Sequence, residues 1–143
     1  GQAFTGVARA GFELALQYCH ERKQGGRTLI DHQLTRYRLG DMLRRVELCR
    51  SVARRSLAYA RLSPLTHPYV TAAGKVTVTQ EAMKVVDEAF QLFGGAGMSR
   101  EYPIEKLFRD ARVALIEDGE NTILTMRLGV LAQQLYAEGW SQA

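Results

Sequence analysis

The sequence predicts an all-α fold: an antiparallel up-and-down four-helix bundle with a short additional helix. Three observations lead to this prediction. Apolar residues recur at three- and four-residue steps along most of the 143-residue chain, which is the spacing of one helix face. Glycine and proline interrupt this spacing at few points, and no persistent period-two alternation indicates a strand. The predicted connections are short, which favours antiparallel neighbours.

The first two helices are predicted over residues 3–23 and about 31–62. We expect Gly25-Gly26 to end the first, because glycine tolerates left-handed geometry. Ser63-Pro64 is expected to close the second, since the residue before proline avoids helical geometry. The residues predicted to face inward from the second helix are Leu34, Tyr37, Met42, Leu43, Val46, Cys49, Ala53, Leu57 and Ala60.

A third helix is predicted to begin after Pro68 and to end at the Gly94-Gly95 pair. Pro103 suits the first turn of a short fourth helix that runs to about Ile116. A fifth helix is predicted from about Asn121, and no segment is predicted to be a strand. The residues predicted to face inward are Tyr69, Ala72, Ala73, Val76, Met83, Val86 and Phe90 in the third helix, and Ile123, Met126, Leu131 and Leu135 in the fifth.

The composition is that of one globular domain, with 46% hydrophobic and 24% charged residues. No apolar run approaches the roughly 20 residues that cross a bilayer, and no signal peptide opens the sequence. We therefore expect a cytoplasmic protein without a membrane span. Cys19 and Cys49 lack zinc-site or disulfide-scaffold spacing, so packed core thiols and no metal are predicted.

Arginines are concentrated in the second predicted helix, although the net charge is only +4. A nucleic-acid surface is one interpretation of such a run. The arginines interleave with an apolar stripe and lack an aromatic stacking platform, which favours a solvated helix face and no nucleic-acid partner. The residues concerned are Arg36, Arg38, Arg44, Arg45, Arg50, Arg54, Arg55 and Arg61.

Three blocks with distinct chemistry follow one another late in the chain. They are QLFGGAGM at 91–98, EYPIEKLFRDA at 101–111 and IEDGE at 116–120. Glycine lets a backbone approach a phosphate or an aromatic ring, because no Cβ intervenes. The acidic block can present a carboxylate to a substrate proton.

These blocks resemble the C-terminal domain of flavin-dependent acyl-CoA dehydrogenases, whose pattern is Q-x-F-G-G-x-G, E-x-P-x-E-x-L-x-R-D-A and a catalytic Glu-Gly-Thr. Earlier, YCHERKQGG at 18–26 and His32-Gln33 are similar to the family's Y-x-x-x-R-x-x-x-G and E-H-Q segments. These blocks follow the family's order and cover nearly the whole chain, which makes coincidence improbable. The resemblance implies that residues 1–143 are this domain, without the N-terminal helical and middle β-domains of the full enzyme.

The resemblance implies an oxidoreductase that dehydrogenates acyl-CoA thioesters at the α and β carbons. A carboxylate removes the α proton, and FAD accepts a hydride from the β carbon. The implied partners are an acyl-CoA substrate, an electron-transfer flavoprotein as electron acceptor, and further copies of the chain in a dimer or tetramer. A fragment without the other domains is not expected to turn over substrate.

The resemblance also implies cofactor contacts. Arg22, Gln91 and Gly95 match family residues that contact the FAD of the neighbouring subunit. A guanidinium pairs with pyrophosphate, an amide binds it, and glycine allows close approach. Gln24 and Glu120 complete the predicted cofactor-binding set, because they occupy positions where the family often has small polar residues.

Asp118 stands where the family has its catalytic Glu, and we predict it as the base. Aspartate is one methylene shorter, and proton transfer depends on reach before it depends on pKa. Several carboxylates on one turn are expected to repel and to raise at least one pKa. Three other interpretations remain open: a base on a different helix, a nitroalkane-oxidase-like reaction that uses an aspartate, and an acidic N-cap of the last helix.

Two further alternatives concern the whole protein: a catalytically silent flavoprotein relative, and a non-enzymatic helical interaction module. The adjacent Arg109-Asp110 pair is interpreted as structural. Neighbouring residues on one helix do not face each other, so their ionic partners are expected elsewhere.

Overall fold

The computed structural model describes residues 1–62 and 68–139, and these form an all-α bundle as predicted. The predicted end of the second helix at Ser63-Pro64 lies outside the described residues. The helices are α1 (Gln2–Glu21), α2 (Gln33–Leu62), α3 (Pro68–Phe93), α4 (Ile104–Ala114) and α5 (Asn121–Ala137).

Helix α3 is the centre of the bundle. It packs against α1, α2, α4 and α5, with its most extensive contacts to α2 and α1. Val78, Ala82, Val85, Val86 and Ala89 are completely buried along it. The other helices are therefore positioned largely by their contact with α3.

A small β-hairpin follows α1, so the prediction of a chain without strands was wrong here. Strands β1 (Lys23–Gln24) and β2 (Arg27–Thr28) pair antiparallel. Gly25 and Gly26 join them with φ of 62° and 80°, and two consecutive positive φ values are what the favoured two-residue hairpin turn requires. This glycine pair forms a hairpin turn, and α1 has already ended at Glu21.

One short 3₁₀ helix precedes α2, and another follows α3. Leu29–Asp31 forms one, which is why α2 begins at Gln33 and not at the predicted Asp31. Gly94–Met98 forms the other and continues directly from α3. The glycine-rich block is therefore a tight helical turn that remains attached to the central helix.

The predicted inward face of α2 was partly wrong. Leu34 and Tyr37 are 63% and 73% exposed, because they lie beside the seam that packs against α1 and α3. That seam follows alternating steps of four and three residues, as in closely packed antiparallel helices. Leu43 and Leu57 are also exposed, and the buried positions are Thr35, Leu39, Met42, Val46, Cys49 and Ala53.

The predicted inward face of α5 was also partly wrong. Ile123 and Met126 are exposed, as is Val130. Leu124, Leu128, Leu131 and Leu135 are half-buried and lie toward the bundle. Helix α5 thus packs on α3 with one face and leaves a second apolar face uncovered by the described residues.

Cys19 and Cys49 are fully buried free thiols, which confirms the prediction of packed core cysteines. Burial raises the pKa of both, and that of Cys49 to about 11. Among the described residues there is no cluster of three or more His, Cys, Asp or Glu side chains suited to a metal ion. No helix in the described ranges has the length and apolar character to cross a membrane.

Within residues 1–62 and 68–139, five of the eight clustered arginines form ion pairs with carboxylates. Asp41 binds two of them, at 2.6 Å each. These pairs support the interpretation of a solvated, charge-balanced helix face. The paired arginines are Arg36, Arg38, Arg44, Arg45 and Arg50.

Gly74 allows α2 and α3 to approach closely, and it gives the first prediction. A Cβ at this position would lie 1.9 Å from Ser56 Oγ and 3.0 Å from Ser56 Cβ. We expect Gly74→Ala to destabilise the protein by about 1 kcal/mol, because overpacking costs about 1–3 kcal/mol and exceeds the gain in helix propensity. Urea unfolding measures this change.

Gly40→Ala, at an exposed position on α2, is the matched control. A Cβ there meets nothing within 4 Å, so we expect a gain of roughly 0.5–1 kcal/mol from helix propensity. Equal stabilisation by both substitutions would contradict the proposed close packing at Gly74.

Candidate functional site

A cleft of about 830 Å³ opens where α1 and α3 both end. We call it the hairpin cleft. The end of α1, the β-hairpin and the Gly94–Met98 turn form its walls. Four of the predicted cofactor-binding residues line it together: Arg22, Gln24, Gln91 and Gly95. Its size is within the usual range of ligand sites, roughly 300–1,000 Å³.

Three aromatic rings hold the walls of the hairpin cleft together. Tyr18 stacks on Phe93 with ring centroids 4.2 Å apart. Tyr102 lies edge-on to both rings, at 5.6 Å from Tyr18 and 5.1 Å from Phe93. Because these rings come from α1, α3 and the segment before α4, they fix the relative positions of the ends that carry the polar residues.

Arg22 is held by its main chain. Its N–H donates to the Tyr18 carbonyl and its carbonyl accepts from Leu29 N–H, each at 2.8 Å. Its side chain is exposed, and within the described residues no carboxylate pairs with the guanidinium. Glu21, also in the cleft, accepts a bond from Gln17 at 2.9 Å. Glu101 is the second carboxylate of the lining. Arg22 is therefore the cation through which the cleft can bind an anionic group, and its backbone position is fixed.

The three glycines of the Gly94–Met98 turn have different structural roles. Gly94 has φ of 58°, which favours glycine. A Cβ at Gly97 would lie 3.2 Å from Phe93 Cβ, so packing restricts that position. Gly95 has neither constraint, and a Cβ there meets nothing within 4 Å. The fold of this chain therefore does not require glycine at position 95. Because Gly95 has no side chain, it leaves open space on the cleft wall.

Asp118 lies in a separate acidic turn (residues 116–120) between α4 and α5, and it does not line the hairpin cleft. It is exposed and has φ of 54°, the only positive φ among the described non-glycine residues. Aspartate and asparagine enter this left-handed region more readily than other side chains. This backbone conformation gives a physical reason for aspartate here.

A polar network ties the acidic turn to α3. Lys75 Nζ donates to the Gly119 carbonyl at 2.8 Å and to Asn121 Oδ1 at 2.7 Å. Asn121 Nδ2 donates to Thr79 Oγ1 at 2.9 Å. Asn121 is 6% exposed and Thr79 is fully buried, so these groups depend on each other for hydrogen bonds.

Sequence reasoning missed Lys75 and Asn121. The available signal was a lysine four residues before Thr79 in an otherwise apolar stretch of α3. Burial lowers the pKa of Lys75, and the nearby carboxylates of Asp118, Glu117 and Glu120 oppose that change. The acidic turn is thus compensated by a cation from another helix.

Glu120 is the N-cap of α5. Its carboxylate accepts from Thr122 N–H at 2.8 Å and from Ile123 N–H at 3.2 Å. The pKa of Glu120 is lowered mainly by the hydrogen bond from the Thr122 backbone N–H. Glu120 is therefore not a carboxyl whose pKa is raised by the crowding of carboxylates on this turn. Glu120 also lies outside the hairpin cleft, in a smaller cleft beside Asn121.

Arg109 and Asp110 have separate partners, as predicted. Arg109 Nε bonds Glu105 at 2.9 Å, and Lys106 pairs with Asp110. Both are pairs four residues apart on α4, so they stabilise that helix.

The hairpin cleft and the acidic turn lie toward opposite ends of α3. Lys75, which holds the turn, and Gln91, which lines the cleft, are about 24 Å apart along the helix, from its rise of about 1.5 Å per residue. One small reacting group cannot contact both places in a single chain.

Comparisons with known proteins point to one family. The model of the acyl-CoA dehydrogenase C-terminal domain matches residues 2–132. A probable acyl-CoA dehydrogenase of Mycobacterium bovis is 33% identical over 123 residues, which are 86% of this chain and 32% of that protein. The 3-sulfinopropanoyl-CoA desulfinase of Paraburkholderia xenovorans is 32% identical over 132 residues, which are 91% of this chain and 34% of that protein.

A solved structure gives the same result. Butyryl-CoA dehydrogenase from Megasphaera elsdenii matches with a TM-score of 0.84 and 31% identity, over 91% of this chain and 34% of that chain. The present chain spans about a third of the length of the curated relatives it matches.

The cap at Glu120 gives a prediction on acid stability. A lowered pKa in the folded state means that the carboxylate stabilises the fold above its ordinary value of 4.5, and that this contribution is lost as pH falls through the lowered value. We expect Glu120→Gln to lower Tm at neutral pH, and the difference from wild type to shrink below pH 4.5. Thermal unfolding across pH measures this. A difference in Tm that is constant with pH would contradict a charge-dependent cap.

Proposed function

The chain belongs to the acyl-CoA dehydrogenase family through its C-terminal domain, and we propose that it is this domain of a longer FAD-dependent enzyme that dehydrogenates acyl-CoA. One observation carries the proposal: Arg22 and Gln24 from one part of the sequence and Gln91 and Gly95 from another line one cleft.

The hairpin cleft suits part of an FAD molecule. The unpaired guanidinium of Arg22 would bind the pyrophosphate, with the Gln91 amide beside it. The open space at Gly95 would let a ligand approach the backbone. FAD, when bound, supplies the hydride acceptor of the reaction. The residues of the cleft contribute binding and orientation only.

Asp118 is proposed as the base. Its carboxylate would accept the proton from the substrate carbon next to the thioester carbonyl, a task that needs hydrogen-bond reach. The side chain is exposed in this chain, so the apolar cover that excludes water would come from the substrate and from domains outside these residues. Lys75, which binds the Gly119 carbonyl, and Glu120, which caps α5, hold the side of the turn that follows Asp118.

The separation of the two sites favours a homo-oligomer. With about 24 Å between them along α3, the hairpin cleft of one subunit would contact the FAD whose reacting ring faces the acidic turn of another subunit. The uncovered apolar face of α5, formed by Ile123, Met126 and Val130, supports a dimer or tetramer in which this face is buried. An electron-transfer flavoprotein is the proposed electron acceptor.

A second candidate function is a flavoprotein relative with a different reaction on a CoA thioester. The similarity to a protein named 3-sulfinopropanoyl-CoA desulfinase supports it, as does an aspartate where the family has its catalytic Glu. A nitroalkane-oxidase-like reaction is a further form of this alternative. A silent flavoprotein would bind FAD and lack turnover, and an interaction module would bind no FAD.

Asp118→Asn in the full-length protein tests the base. Asparagine also adopts left-handed geometry, so the substitution removes the charge and preserves the turn. We expect kcat for acyl-CoA oxidation to fall by about 10²–10⁴-fold with FAD content unchanged. Dye-coupled assays with a panel of acyl-CoAs measure this. Glu117→Gln is the neighbouring control, and wild-type kcat in Asp118→Asn would exclude Asp118 as the base.

Arg22→Met in the full-length protein tests the cofactor site. Loss of a charge-assisted bond is expected to weaken FAD binding by about 10–100-fold, as measured by flavin titration of the apoprotein. Arg27→Met on the same hairpin is the control, because Arg27 is exposed and does not line the cleft. Equal effects of the two substitutions would contradict a specific role of Arg22.

A further inference from the structure

We propose that Lys75 is a positioning residue that holds the acidic turn against α3 and thereby sets where the Asp118 carboxylate is presented. This inference rests on the proposed function, in which Asp118 is the base. Lys75 would act through the backbone of the turn and would not take part in proton transfer.

The contacts of Lys75 support action through the backbone. Its ammonium binds the carbonyl of Gly119, the residue next to Asp118, and the side chain of Asn121, the first residue of α5. These two acceptors lie on one side of Asp118 in the sequence. On the other side, the Leu115 carbonyl accepts from Asn121 N–H at 3.1 Å. The Leu115–Asn121 hydrogen bond thus closes the turn where its two ends meet. Lys75 anchors the turn to α3 at the residue next to Asp118.

The anchor is built into the core of the protein. Asn121 connects Lys75 to Thr79, and Thr79 Oγ1 also bonds the Lys75 carbonyl at 2.9 Å. Thr79 is fully buried and Asn121 nearly so. A buried network whose members are all satisfied has few alternative arrangements, so the position of Gly119 is restricted.

Position matters more for an aspartate than for a longer carboxylate. The side chain of Asp118 has one methylene less with which to compensate for a shift of the turn, and its backbone has the left-handed conformation. A displacement of about 1 Å in a catalytic group can cost roughly 100-fold in rate. The geometry therefore points to Lys75 as a residue on which the rate depends without contact to the reacting atoms.

Lys75→Met in the full-length protein is the test, because methionine has a similar length and no donor. We expect kcat to fall by about tenfold or more, KM to change little, and amide hydrogen exchange to accelerate at residues 117–122. Lys84→Met is the matched control. Lys84 lies on the same helix, is exposed and pairs with Glu81, so kcat and exchange at the turn should stay unchanged.

Asn121→Ala is the second variant and keeps the test valid if Lys75→Met folds poorly. It removes one of the two acceptors of Lys75, and we expect the same direction of change in exchange and kcat. Unchanged exchange at 117–122 in the folded variants would overturn the inference, and so would a wild-type kcat in Lys75→Met.

A double mutant separates positioning from general destabilisation. In the Asp118→Asn background, Lys75→Met should have little further effect on residual kcat, because both changes remove the same contribution. An equal fold loss in both backgrounds would overturn the inference. A wild-type kcat in Asp118→Asn would exclude Asp118 as the base and would overturn this inference with it. In that case, faster hydrogen exchange at residues 117–122 in Lys75→Met would still show that Lys75 holds the turn.

Discussion

The burial of α3 among four other helices is the constraint on which the rest of the structure depends. One face of its middle is completely buried against the neighbouring helices, which restricts how far the helix can bend or rotate. The glycine turn continues directly from one end, and Lys75 near the other end holds the acidic turn. One helix thus fixes the distance between the hairpin cleft and the proposed base, and small shifts in its packing would move both.

The charged groups around the two ends of α3 are arranged differently. At the hairpin cleft, Arg22 lies on a fixed backbone and forms no ion pair with a carboxylate in the part of the chain that the structure describes, which leaves its charge available to a ligand. At the acidic turn, several carboxylates lie close together and are compensated from within the protein. Lys75 supplies a cation, and the first amides of α5 bind Glu120. The first arrangement suits recognition of an anion, and the second suits a fixed geometry around the Asp118 carboxylate.

The sequence allowed the fold and much of the candidate site to be predicted, because both rest on local patterns. Helical spacing identified five helices, and ordered motifs identified Arg22, Gln91, Gly95 and Asp118. The hairpin was missed because Gly25-Gly26 suits a helix end and a tight turn equally well. The face of α2 was misjudged because Leu34 and Tyr37 are apolar and yet exposed. Lys75 was missed because its partners are more than forty residues away in the chain.

The left-handed backbone at Asp118 has a consequence for how the family could exchange glutamate and aspartate at the position of the proposed base. Glutamate and aspartate differ by one methylene, and their codons are a single nucleotide apart. In this turn the exchange also changes the cost of the backbone conformation. In a lineage that exchanged the two residues, the effect of the exchange at position 118 would therefore depend on the contacts that anchor Gly119 and Asn121. Descendants on either side of that step would tolerate different residues at these neighbouring positions.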